Sequence, residues 1–107
     1  MVKINIESLR AHYDNGQVYI SEHADNRFRE RGIKARDVRS CVMNGRIIED
    51  YPDDFPFPSC LILGTAVDGS ALHVVMSDEG SMSRIITAYY PDSEKWNEDF
   101  SVRKEDS

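Results

Sequence analysis

Three side chains that can handle an anion stand at four-residue intervals in the stretch ISEHADNRFRERGI. They are His23, Arg27 and Arg31, and on a helix this spacing places them in one stripe. Histidine exchanges protons near neutral pH because its ordinary pKa is about 6.5, and arginine offers phosphate a planar set of donors. The stripe therefore predicts one wall of an anion-handling site. The competing interpretation is an ordinary solvated face, paired with neighbouring acidic residues.

A second candidate group comes from the later, strand-like part of the sequence. A two-residue turn at Asp68-Gly69 and a turn centred on Glu79-Gly80 predict that His73 and Arg84 project from one face of a sheet. The side chains expected beside them are Cys60, Ile62, Ala88 and Tyr90. The opposite face is expected to meet the helices through Leu61, Leu63, Leu72, Val74, Met76 and Ile85. The competing interpretation of His73 is a hydrogen-bonded structural histidine.

These residue types suit the cleavage of RNA without a metal. His23 and His73 would exchange protons with the 2′-OH and the leaving oxygen, while the arginines would stabilise the charge of the phosphorane. A Cys60 nucleophile beside His73 is a weaker alternative with no supporting pattern. The histidines and cysteines show no close zinc spacing, and no glycine-rich phosphate loop precedes a helix, so no metal or cofactor is expected.

Periodicity and stop signals predict three short helices in the first half of the chain. The first begins at Ile6 and stops at Asn15-Gly16, and the second has Ser21 as its N-cap and Gly32 just past its end. The third runs from about Ala35 to Asn44 and stops at Gly45. A last helix is expected in DSEKWNEDF, with Trp96 and Phe100 packed back on the domain.

After Gly45 the sequence is rich in strand-forming residues. The predicted strands are RIIEDY, SCLILGTAV, ALHVVMS and SRIITAYY, with the proline-containing DDFPFP as a loop. This order predicts an α+β fold, in which the N-terminal helices pack on one face of a three- to four-stranded antiparallel sheet. With 107 residues, the chain is expected to be a single domain, 1–107.

Composition favours a globular protein of the cytoplasm with no membrane segment. The formal charge of −6 argues against a protein that coats nucleic acid. Residues 1–46 nevertheless carry nine Lys/Arg and six Asp/Glu, a balance of +3, while residues 47–107 carry four and thirteen, a balance of −9. A local basic surface is therefore allowed. A reducing compartment predicts that Cys41 and Cys60 are free thiols.

The helix stretch, NGRIIEDYPDDFPFPSCLILG, LHVV and RIITAYYPDSEKW together resemble the bacterial and archaeal domain of unknown function 4258, over about residues 18–98. That family is similar to the RelE/BrnT-like ribonuclease toxins, so the resemblance implies a RelE-like fold and a small antitoxin as partner. It also implies that His23, Arg27 and Arg31 belong to the helix motif, and that His73, Arg84 and Thr87 line the cleft.

The leading hypothesis is a toxin-like, metal-independent endoribonuclease with RNA as its substrate. Its catalytic residues would be His23, His73, Arg84 and Thr87, and its substrate-binding residues would be Arg27, Arg31 and Tyr90. The alternative is a non-catalytic protein-interaction module on the same fold, whose acidic half binds a basic partner. Its distinguishing sign would be a cleft filled by Tyr90 or by the C-terminal segment, with His23 and His73 too far apart to share one phosphate.

Overall fold

Three helices form where the stop signals predict them. The computed structural model describes residues 3–104, and its helices are α1 (Ile6–Asp14), α2 (Glu22–Arg31) and α3 (Ala35–Asn44). Ser21 caps α2 by accepting a hydrogen bond from the backbone of Ala24, and Gly32 ends the helix with a φ of 68°. A positive φ is readily adopted by glycine because it has no Cβ. The predicted helix boundaries are confirmed.

Five strands form one sheet. They are β1 (Val18–Ile20), β2 (Arg46–Tyr51), β3 (Ser59–Thr65), β4 (Ala71–Asp78) and β5 (Ser83–Tyr89), and they lie in the order β1-β5-β4-β3-β2. The four longer strands form an antiparallel meander, as predicted. The fold is α+β.

The prediction of a purely antiparallel sheet of three or four strands is wrong. Val18–Ile20 pairs in parallel with residues 83–85 at one edge, so the sheet is mixed. Three residues are too few to show a period in the sequence, because strand periodicity needs four or more. Pairing with β5 therefore decides the conformation of this segment.

The predicted register of β3 against β4 is also wrong, by one residue. His73 lies opposite Leu63 and not opposite Gly64, because Val67, Asp68 and Gly69 form a three-residue loop closed by Ala66 and Ser70. Gly69 has a φ of 89°, the conformation that a three-residue hairpin requires at its last position. A shift of one residue moves every side chain of a strand to the other face. Cys60 and Ile62 consequently face the helices, whereas Leu61 and Leu63 do not.

The β4–β5 connection differs from the prediction in a similar way. Its four residues run from Glu79 to Met82, and a bulge at Ile86 then shifts the register, so that His73 lies opposite Tyr89. Because of the bulge, Ala88 faces the helices and Tyr89 takes the place beside His73 that was predicted for Tyr90.

The helices cover one face of the sheet. Their buried side chains form one core with the inward residues of β3, β4 and β5. The helix side of this core consists of Leu9, Ala24, Phe28, Val38, Cys41 and Val42, and the sheet side of Cys60, Ile62, Leu72, Val74, Met76, Ile85 and Ala88. The second face of the sheet carries His73, Leu61, Leu63 and Tyr89, and we call it the open face.

Residues 91–104 cross the open face without forming the helix predicted there. They contain turns and one isolated bridge, between Trp96 and Arg103. The side chains of Asp92, Asn97 and Asp99 accept hydrogen bonds from nearby backbone N–H groups. Such local bonds compete with a helix. Trp96 does pack back on the domain, with 3% of its surface exposed. We call residues 91–104 the cover segment.

Close packing of α3 on β3 depends on Gly64. A Cβ at this position would lie 2.3 Å from the carbonyl oxygen of Cys41 and 2.8 Å from Oδ1 of Asn44. The carbonyl belongs to the backbone of α3, so a rotamer change cannot relieve the clash. Gly64 therefore sets how near the helix layer approaches the sheet.

We predict that Gly64→Ala lowers the free energy of unfolding by about 3 kcal/mol, at the upper end for overpacking. Gly32→Ala is the matched control, because a Cβ there meets nothing within 4 Å. In the control, the free energy of unfolding should fall by only about 1 kcal/mol, the cost of placing an alanine in the left-handed conformation. Urea unfolding followed by circular dichroism measures both, and equal losses would contradict the packing argument.

Candidate active site on the open face

His73 lies at the centre of the open face and is sealed from solvent. Its exposed fraction is 0%, although it is a polar residue. Nε2 lies 2.9 Å from the carbonyl oxygen of Phe100, and Nδ1 lies 3.3 Å from the hydroxyl of Tyr89. A carbonyl only accepts, so Nε2 carries the proton and Nδ1 accepts from the tyrosine. Both nitrogens are therefore engaged.

Glu49 of β2 lies on the same face as His73 and binds the cover segment. Arg103 donates to both carboxylate oxygens of Glu49, at 3.0 and 3.2 Å, and the Tyr51 hydroxyl donates to the same carboxylate. A two-pronged arginine–carboxylate contact is among the stronger ion pairs, although here it is partly open to water. Together, Glu49, Tyr51, His73, Tyr89 and Arg103 form what we call the open-face cluster.

Trp96 closes the cluster from above. Its ring meets the His73 ring edge to face at a centroid distance of 4.4 Å, and the guanidinium carbon of Arg103 lies 4.7 Å from the centroid of the Trp96 ring. Phe100 adopts a φ of 64°, an unusual value for a residue with a Cβ, and its carbonyl binds His73. The cover segment thus contacts the cluster through a ring, a carbonyl and a guanidinium.

Burial and charge shift the pKa values of the cluster in opposite directions. Burial lowers the pKa of His73, and its bond to the Phe100 carbonyl and the charge of Glu49 only partly offset this. Burial alone would raise the pKa of Glu49, but hydrogen bonds from Arg103 and Tyr51 hold it below its ordinary value. Burial, followed by the nearby Glu49, raises the pKa of Tyr51 to about 12. The cluster therefore combines an ionised carboxylate with a neutral imidazole.

A family comparison covers most of the residues described above. The model of the domain of unknown function 4258 matches residues 20–90, which is more than half of the chain. The chain belongs to this family. No curated protein and no solved structure matches it significantly. The family match includes four members of the open-face cluster, but it ends before Trp96 and Arg103 of the cover segment.

The helix stripe of this family member lies apart from the cluster. His23 is exposed, and within residues 3–104 it forms no hydrogen bond or ion pair. Arg27 pairs with Glu30 at 3.5 Å on the same helix. Since α2 packs on the helix-covered face and His73 lies on the open face, the sheet separates the two histidines. The structure does not bring His23 and His73 to one phosphate.

Arg31 is the member of the stripe that reaches the strands. Its Nη1 lies 3.1 Å from Oγ1 of Thr87 and 2.7 Å from the carbonyl oxygen of Ala88. β1 pairs only with residues 83–85, so among the described residues the later part of β5 has no strand on the side away from β4. Arg31 binds a carbonyl on this uncovered edge. Thr87 lies opposite Val75, which places its side chain on the open face two residues from Tyr89.

Arg84 and Tyr90 do not join the cluster. Arg84 lies opposite Ser77 and shares the open face with His73, but four residues of strand, about 13 Å, separate the two positions along β4. Its Nε donates to Glu79 at 2.8 Å. Tyr90 follows the end of β5 with 41% of its surface exposed. Of the predicted site residues, His73 therefore lies in the cluster, Arg31 and Thr87 at the β5 edge, and Arg84 near the β4–β5 turn. His23 and Arg27 lie on the exposed face of α2, and Tyr90 lies just past β5.

Sequence reasoning missed Glu49, Tyr51 and Arg103. Glu49 and Tyr51 stand two apart in RIIEDY, a spacing that is consistent with one strand face but that predicts no site by itself. Arg103 follows the last predicted element, and no local pattern indicates that it returns to β2. His12 was also missed, and its ring binds Ser83 and the Gly80 carbonyl, which gives it a structural role.

The cysteines are free, as predicted, and they lie in the core beneath the helices. Cys60 and His73 are on opposite faces of β3 and β4, so the nucleophile alternative lacks its base. Burial raises the pKa of each thiol to about 12. Neither side chain is exposed.

We predict that iodoacetamide at about pH 8 leaves both thiols of the folded chain unmodified, because they are neutral and inaccessible. In denaturant, both should react at the rate of an ordinary thiol of pKa about 8.5. Mass spectrometry of the two samples counts the adducts. Rapid modification of Cys60 in the folded chain would contradict its placement in the core.

We predict that stability falls as His73 titrates. The pKa of His73 in the folded chain lies below the unfolded value of about 6.5. The stability that the neutral imidazole contributes is therefore complete above a pH of about 6.5, and it is lost as the pH falls through the folded pKa. The urea midpoint should therefore drop more between about pH 7.5 and pH 5 than it does in His73→Gln, which keeps a donor for Phe100 but cannot titrate. An equal drop of the urea midpoint in the wild type and in His73→Gln would contradict the effect of His73 on stability.

Proposed function

We propose that this protein is a toxin-like, metal-independent endoribonuclease of a toxin–antitoxin system, with the open-face cluster as its active site. The observation that carries the proposal is a pair of hydrogen-bonded groups on the open face of the sheet, Glu49 with Tyr51 and Arg103, and His73 with Tyr89, which meet at the ring of Trp96. A carboxylate base, an imidazole acid and a guanidinium can together cleave RNA by acid–base catalysis without a metal. The RelE/BrnT resemblance of the family motif supports the same reaction class.

Three residues of the cluster have a chemical role in this reaction. The ionised Glu49 would accept the proton of the ribose 2′-OH, whose oxygen attacks phosphorus while the bond to the 5′ oxygen breaks. His73 would donate a proton to that leaving oxygen, and Arg103 would stabilise the phosphorane. The products would be a 2′,3′-cyclic phosphate and a 5′-hydroxyl. His23 and Arg27 would bind phosphates of the RNA further along the backbone.

The described arrangement is closed to RNA. Trp96 packs on the His73 ring, and the Phe100 carbonyl occupies Nε2, the nitrogen that would donate the proton. Cleavage would therefore require the part of the cover segment that carries Trp96 and Phe100 to move while Arg103 stays beside Glu49. Its movement would also remove the burial that lowers the pKa of His73 and so make the imidazole a better acid–base group near neutral pH.

A non-catalytic interaction module is the second candidate, and the same burial favours it. A histidine with no exposed surface and two hydrogen-bond partners is also what a structural histidine looks like. On this alternative, the acidic half of the chain would bind a basic partner, and the cluster would hold the cover segment in place. The two candidates differ in whether opening the cover produces activity.

We predict that Trp96→Ala raises cleavage of an oligoribonucleotide in EDTA above the wild-type rate, because it removes the ring that covers His73. Adding Glu49→Gln to that variant should lower the rate about a hundredfold, the typical contribution of a general base. Glu98→Gln is the matched control, since Glu98 is exposed on the cover segment. The cyclic phosphate product identifies the reaction.

Two outcomes would reject the nuclease. One is the absence of cleavage by both wild type and Trp96→Ala, on free RNA and on ribosome-bound message, when circular dichroism shows both to be folded. The other is equal cleavage by Trp96→Ala with and without Glu49→Gln. Either result would reject cleavage at the open-face cluster and would favour the interaction module.

A further inference from the structure

Exposed hydrophobic side chains are concentrated at one end of the open face. Seven large hydrophobic residues are exposed among those described, and four of them surround Arg84. Phe55 is 95% exposed, Phe57 39%, Ile86 42% and Tyr19 47%. Monomeric proteins rarely cluster apolar surface in this way without a use for it.

These residues border one groove. A depression of about 380 Å³ lies between the β2–β3 loop and β5, and Phe55, Pro56, Phe57 and Ile86 supply its apolar lining. Tyr19 joins the same surface because the guanidinium carbon of Arg84 lies 4.6 Å from the centroid of its ring. Ile86 reaches this surface because the β5 bulge falls at this residue. We call this surface the aromatic groove.

The polar groups of the groove carry an excess of negative charge. Asp54 and Glu79 line it, and Arg84 is its single cation among the lining residues. Arg84 is already paired with Glu79 at 2.8 Å, so its charge is compensated. Among residues 3–104, the Asp54 carboxylate binds only the neutral Ser59 hydroxyl, and Asp53 is exposed beside it. A cationic ligand therefore complements the groove better than an anionic one does.

We propose that the aromatic groove is a docking surface for a partner protein, which inserts a segment that combines apolar side chains with Lys or Arg. Apolar side chains of the segment cover Phe55 and Ile86, and its basic residue faces Asp54. Exposed aromatic residues dominate binding energy at such interfaces because they bury a large area with little loss of conformational freedom. Nucleic acid is a poor occupant, since the uncompensated charge of the groove has the same sign as phosphate.

This surface does not depend on the proposed nuclease. Among the described residues, no hydrogen bond or ion pair joins the cover segment to the lining of the groove, and Arg84 stands about four residues along the sheet from His73. Binding at the groove is therefore measurable in a chain with no activity. Loss of RNA cleavage and loss of groove binding are separate results.

The test uses the full chain, labelled with nitrogen-15, and three short synthetic peptides of equal length. One alternates Leu with Lys, the second Leu with Glu, and the third Ser with Lys. The Leu–Lys peptide should shift the amide signals of Phe55, Glu79 and Ile86, and the other two should bind at least about tenfold more weakly. Equal binding of all three peptides, or shifts that map elsewhere, would overturn the proposal.

Variants locate the binding without disturbing the core. Phe55→Ser should weaken binding of the Leu–Lys peptide about tenfold, the typical loss at an aromatic anchor. Val67→Ser is the matched control, because Val67 is 62% exposed in the β3–β4 loop, outside the groove. An equal effect of both substitutions would overturn the assignment. Concentration-dependent shifts at the groove without peptide would show a second copy of this chain as the occupant, and would also overturn it.

Discussion

The hydrogen-bond register between β3 and β4 is the constraint on which the rest of the structure depends. Gly69 closes the hairpin in a left-handed conformation, and the resulting three-residue loop sets Leu63 opposite His73. Because strand side chains alternate, this single choice sends Cys60 and Ile62 towards the helices and keeps His73 on the open face. A two-residue loop would exchange the two sets and bury polar groups under the helix layer.

The open face then needs its own cover. His73, Leu61 and Tyr89 leave an apolar surface interrupted by an imidazole, and a buried imidazole is tolerated only when its nitrogens are bonded. The cover segment meets both requirements, since Trp96 packs on the ring and the Phe100 carbonyl accepts its proton. Arg103 ties the segment to β2 through Glu49. The closed structure and the proposed chemistry thus use the same residues, and the proposal requires Trp96 and Phe100 to move away from His73.

Charge is unevenly distributed over the surfaces of the protein. No helix within residues 3–104 is long and apolar enough to cross a bilayer. Asp54 of the acidic second half lines the aromatic groove and forms no ion pair among residues 3–104, whereas the exposed His23 and Arg27 lie on α2. A protein of net charge −6 can therefore present one surface suited to phosphate and another suited to a basic segment.

The sequence by itself determined the three helices and the four longer strands, because caps, glycine stops and strand-forming runs are local signals. Its motifs also indicated the family. The role of Ser21 as an N-cap, and of Gly32 and Gly45 as helix stops, can be predicted from the few residues beside each. Only the tertiary structure decided the parallel edge strand Val18–Ile20, the faces of β3 and β5, and the return of Arg103 to Glu49. The reason is physical. One extra loop residue or a bulge moves the side chains of a strand to the other face of the sheet, and a contact between residues 54 apart leaves no local sequence pattern. The stripe of α2 was correctly placed on one helix face, but its separation from His73 depends on which side of the sheet each occupies.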